Sequence, residues 1–203
     1  MSDVEQAIAQ IADIRARLAA SSRFRGYAPE SVAILGLLSA VLTAMQVLWP
    51  DRFAASGVQL VRDWGLLLAG GCLCIAAEAV LRTLRANDGM ASPALLTALR
   101  VVIPSTVMAA SVCAAVIVYA PQACWIVPGT WQMLIGLAVF SSYPFMPRRI
   151  AWPGTWFMIS GAAGLFLAGR QGDLSPLQVG VPFVVGHVGI AWALFEKEHG
   201  NRA

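Results

Sequence analysis

Six apolar stretches, each about one bilayer thick, recur along this chain and are joined by short polar connections. A helix rises about 1.5 Å per residue, so about 20 apolar residues cross a hydrocarbon core of about 30 Å. The pattern predicts spans at about 31–49, 64–82, 101–120, 129–146, 151–169 and 178–195. The expected fold class is therefore all-α: a polytopic membrane helix bundle of six transmembrane helices over residues 29–197. Residues 1–28 precede it as a cytoplasmic segment and residues 198–203 follow it as a cytoplasmic tail.

The period changes within residues 1–28. Ser2 and Glu5 fit a capping box. Val4, Ile8, Ile11, Ile14 and Leu18 then recur at steps of three and four, the single apolar stripe of an amphipathic helix. Asp3, Glu5, Asp13, Arg15 and Arg17 fall where a secretory signal would carry its apolar core, so no cleaved signal is expected. The stripe can lie on the membrane surface. Alternatively, Ile8, Ile11, Ile14 and Leu18 are candidate docking residues for a protein partner or a second copy of the chain.

Charge sets the orientation. Arg15, Arg17, Arg23 and Arg25 precede span one; Arg82, Arg85 and Arg100 lie between spans two and three; Arg148 and Arg149 lie between four and five; Lys197 and Arg202 follow six. The opposite side carries only Arg52, Arg62 and Arg170. Basic residues stay in the cytoplasm, so both termini are expected inside. Trp49, Trp64, Tyr119, Trp125 and Trp131 then fall at the predicted outer interface, and Tyr27, Tyr143, Trp152 and Trp192 near the inner one, as interfacial aromatic belts require. The fourteen basic residues are all Arg but one, a bias of GC-rich bacterial genomes, and a bacterial inner membrane is the expected location.

Composition narrows the function. Only 12% of residues are charged, against about 25% in soluble domains, and too little chain lies outside the spans for a separate soluble domain. The net charge of +3 is dispersed over span ends, so the bilayer is the expected partner and nucleic acid is not. There is no Walker loop, no G-x-S-x-G and no H-E-x-x-H, and no enzyme activity is expected.

Ionisable residues inside a membrane are the default functional candidates. Here they are Glu78 and His187. Gly71, Cys74, Glu78, Arg82 and Arg85 follow helical steps, a face expected to point into the bundle. Arg82, one turn beyond Glu78, is placed to pair with it; alternatively, Glu78, Arg82 and His187 form a proton or ligand site. His199, the other histidine, lies in the tail, which argues against bis-histidine haem, and no cofactor is expected. Cys72, Cys74, Cys113 and Cys124 form no C-x-x-C, and no metal site is expected. Ser141, Ser142 and Tyr143 add polarity to span four.

Small residues mark packing. Gly161, Gly164 and Ala168 share a face of span five, and Gly186, Gly189 and Ala193 a face of span six. Such faces let helix backbones approach, within one chain or between copies. Pro104 and Pro182 each fall four residues into a predicted span, where a missing N–H matters little. The expected function is that of a non-catalytic inner-membrane protein, a partner-binding, sensory or accessory component acting through its cytoplasmic face. The alternative is a small proton-coupled transporter or channel using Glu78 and His187.

Overall fold

The computed structural model describes residues 29–86, 91–143 and 146–200, without the side chains of 82, 83, 86, 91–99, 101 and 196–200. The N-terminal stripe of Ile8, Ile11, Ile14 and Leu18, the side chain of Arg82 and that of His199 lie outside the described residues. The described chain is helical, with no strands, and forms a helical membrane bundle. The six principal helices are α1 (Pro29–Leu48), α2 (Gly57–Ala86), α3 (Ala91–Tyr119), α4 (Ile126–Ser142), α5 (Ala151–Gln171) and α6 (Pro176–Gly200). Five contain stretches long and apolar enough to cross a membrane; α4, with 17 residues, is the shorter apolar helix. At about 1.5 Å per residue α4 is about 26 Å long, just under the hydrocarbon thickness of about 30 Å.

Several helix ends have a local cause. Pro29 and Pro176 occupy first helical positions, where the absent N–H is one the helix does not use. Pro50 opens the single helical turn Pro50–Phe53 that separates α1 from α2. Gly172, at φ 67°, takes the left-handed position that ends α5, and its N–H returns to the Ala168 carbonyl at 2.8 Å.

The tightest pairings are α4 with α5 and α1 with α6. The first is a backbone-to-backbone approach. A Cβ added to Gly129 would lie 2.8 Å from the Gly161 carbonyl oxygen, and one added to Gly161 would lie 2.7 Å from that of Gly129. Gly136 repeats the contact one turn pair along, 2.9 Å from the Gly154 carbonyl. In the second pairing, the buried positions of α1 (Val32, Leu35, Gly36, Ser39, Thr43 and Gln46) run in one stripe at three- and four-residue steps. Gly36 admits the backbone of α6 at Val188, and Thr43 fills the space left by Gly180.

The main apolar core gathers Leu60, Val61 and Trp64 of α2, Val127 and Trp131 of α4, Phe157 of α5, and Val179 and Phe183 of α6. It sits toward the end where the α1–α2, α3–α4 and α5–α6 turns meet: a Cβ on Gly57 would lie 2.6 Å from Cys124 Sγ and 4.0 Å from Leu174. A smaller cluster of Ile150, Ala193 and Leu194 closes the opposite end, where the Arg149 guanidinium lies 5.5 Å over the Trp192 ring. The periphery is α3: none of its Val102–Tyr119 stretch is buried, against half of Pro176–Phe195 in α6.

Several expectations change here. Trp64 and Trp131 lie inside the bundle, at 0% and 5% exposure, instead of on its outer belt. Each can be buried because its indole N–H has a partner, Gln46 Oε1 at 3.0 Å for Trp64 and the Ala109 carbonyl at 3.1 Å for Trp131. Pro104 is well inside α3, since that helix begins at Ala91 rather than near residue 101, so the Arg100 carbonyl loses its helical donor. Pro182 is likewise interior to α6 and withholds a donor from the Gln178 carbonyl.

Candidate functional site

The face of α2 that meets α1 carries Gly71 and Glu78. A Cβ on Gly71 would lie 2.6 Å from Leu35 Cδ1 of α1. Seven residues on, two helical turns, Glu78 accepts a hydrogen bond from Ser31 Oγ at the start of α1. Cys74, expected on this face, is exposed. Gly71 and Glu78 lie on one line two turns apart, and Cys74 is rotated off that line. Glu78 is half-buried and is thus a link between α1 and α2 near the end of the bundle that holds Ile150.

His187 lies on α6 in an aromatic clasp. Its ring stacks on Phe183 at 5.9 Å and 18°, and meets the edge of Phe157 at 5.6 Å and 78°. Trp64 also stacks on Phe183, at 5.0 Å. These separations are those of favourable ring pairs. Nδ1 is 2.7 Å from the Phe183 carbonyl. A carbonyl oxygen only accepts, so Nδ1 carries a proton and donates it. Gly36 of α1 lets the backbone approach: a Cβ there would be 3.3 Å from His187 Cβ.

Glu78 and His187 thus face two different partners of α1. Ser31 holds Glu78 on α2, and Gly36 admits His187 on α6. Hydroxyls within the spans serve their own helices: Ser39 bonds the Leu35 carbonyl at 2.8 Å, Thr43 the Ser39 carbonyl at 2.7 Å, and Ser142 the Ala138 carbonyl at 2.9 Å.

The small-residue faces of spans five and six are largely filled within the chain. Gly161 meets Gly129, Gly186 receives the Phe157 ring, and Gly189 receives the Trp152 ring. Gly164 differs, because a Cβ there would meet nothing within 4 Å. The cysteines are free thiols, with Cys72 and Cys74 exposed and Cys124 buried. Burial, with a further push from the Asp173 carboxylate, raises the Cys124 thiol above its ordinary value.

Two buried amides were not singled out by sequence: Gln46 at 0% and Gln132 at 1% exposure. The signal was present, since each is a lone carboxamide inside an apolar run and a buried amide must find partners. Gln46 uses its oxygen for Trp64. Gln132 Oε1 has no protein partner.

Compared with known proteins, the chain matches no family, no curated protein and no solved structure.

Proposed function

We propose that this chain is a non-catalytic component of a bacterial inner membrane, with both termini in the cytoplasm, that acts by binding a protein partner at its cytoplasmic face. The observation that carries this reading is the setting of His187. His187 packs against Phe157, Phe183 and Gly36 and ties Nδ1 to its own helix, the setting of a residue that holds helices together. Glu78 supports the same reading by joining α1 to α2 through Ser31. The intramembrane polar groups then serve to hold helices together. The segment left for recognition is the stripe of Ile8, Ile11, Ile14 and Leu18, which precedes α1 in the sequence.

Two measurements test this. Photo-crosslinking residues placed at positions 11 and 18 should give a discrete protein adduct in cells, and removing residues 1–22 should abolish it while the bundle stays inserted and stable. Adducts to lipid alone would sink the partner-binding reading. In proteoliposomes under a pH gradient, Glu78→Gln and His187→Phe should leave proton movement at the level of the unaltered protein. Proton-coupled flux that vanishes in folded Glu78→Gln protein would establish the transporter reading instead.

A further inference from the structure

A small cavity lies between α4, α5 and α6, toward the end where the three turns meet, and Glu78 and His187 are not among its lining residues. Its walls include Gly129, Gln132, Gly164, Ala168 and Gln178. Its volume is about 10 Å³, the room of about one water molecule. Two features make it more than a gap. Gln132 is 1% exposed and its Oε1 has no protein partner. Gln178 Oε1 is also buried without a partner, although its Nε2 donates to Gln171 Oε1 at 2.9 Å. Two helices thus bring residues with unpartnered buried oxygens to the walls of the same small space, and an acceptor in an apolar interior is stabilised only by a donor. Gly164 and Ala168 of α5 keep that space open, and Gly164 is the small residue of its stripe that no neighbouring side chain fills.

We infer that this cavity is a binding site for a single water molecule that donates one hydrogen to Gln132 Oε1 and the other to Gln178 Oε1, joining α4 to α6 across α5. Water matches the site in size, and its two donors match the two acceptors. A metal cation would require more oxygen ligands than these two side chains offer.

Gly164→Ala decides the matter through the sign of its effect. Alanine favours a helix over glycine, so in a dry gap the substitution raises the melting temperature of the purified protein. With a bound water, the methyl group displaces it and strands both oxygens, and the melting temperature falls. In a Gln132→Met, Gln178→Met background the acceptors are gone, and the same Gly164→Ala change should raise the melting temperature. A rise in both backgrounds, a fall in both, or no change in the unaltered background overturns the proposal. Melting that depends on whether Na⁺ or K⁺ is present also overturns it, in favour of a cation. If the doubly substituted background does not fold, a high-resolution structure of the unaltered protein decides. Density within hydrogen-bond reach of both oxygens upholds the water, and its absence refutes it.

Discussion

Trp64 of α2 donates its indole N–H to Gln46 of α1 at 3.0 Å, and both side chains are fully buried. This bond crosses the two helices of the first hairpin. Interhelical hydrogen bonds in membrane bundles contribute about 0.6 kcal/mol on average, with an upper value of about 1.7. A double-mutant cycle with Gln46→Met and Trp64→Phe should return a coupling in that range. Additive single effects in thermal or denaturant unfolding would show that the contact carries no energy.

The crossing of Gly129 and Gly161 predicts a large asymmetry among glycines. Alanine at either position would drive Cβ to within 2.8 Å of a carbonyl oxygen on the neighbouring helix, and backbone cannot yield as a side chain can. Overpacking of this kind costs about 1–3 kcal/mol. Gly70→Ala is the control, since a Cβ there meets nothing within 4 Å, and helix propensity favours it by about 1 kcal/mol. Unfolding measurements that rank Gly129→Ala equal to Gly70→Ala would contradict the close approach.

Cys124 gives the pH dependence. Burial and the Asp173 carboxylate both disfavour its thiolate, and the folded-state value is raised above the ordinary 9.0. A raised value means that its contribution to stability is complete below pH 9.0 and is lost as pH climbs through the folded-state value. In a variant retaining only Cys124, maleimide labelling should be slower than for a free thiol and should accelerate at higher pH. Asp173→Asn should shift the rate profile toward lower pH. A profile unmoved by that change would mean that the carboxylate does not act on the thiol.

The three turns gathered around Gly57, Cys124 and Leu174 belong to one end of the bundle, and the charge asymmetry predicts that this end faces away from the cytoplasm. With native cysteines removed, a cysteine at position 175 should react with an impermeant reagent added outside intact cells. One at position 90 should react only after the membrane is opened. Labelling of position 90 in intact cells would reverse or break the topology.

What the sequence made legible was the set of spans, because an apolar run of bilayer length has few alternative uses. It could not tell which way a residue turns at a given depth. Trp64 and Trp131 have the spacing of belt residues, yet their indoles point inward to Gln46 and the Ala109 carbonyl. The Gly71–Glu78 relation was readable, and its meaning was not, because Ser31 lies 47 residues away in sequence. Charge marks His187 and Glu78 in the sequence and does not mark the neutral amides Gln46 and Gln132, although burial makes an unpartnered amide atom costly too.

The pairing of α1 with α6 carries a consequence for biosynthesis. Gly36 and Thr43 are covered by α6, the sixth of these helices in chain order. While the ribosome is still translating α2 through α5, that surface of the nascent first span has no permanent neighbour. The bundle therefore closes as a ring, and α1, made before α2 through α5, is among the last to be locked. A nonsense codon anywhere before Pro176 leaves this seam open along its whole length. A quality-control protease that reads exposed polar surface inside the bilayer would find it there.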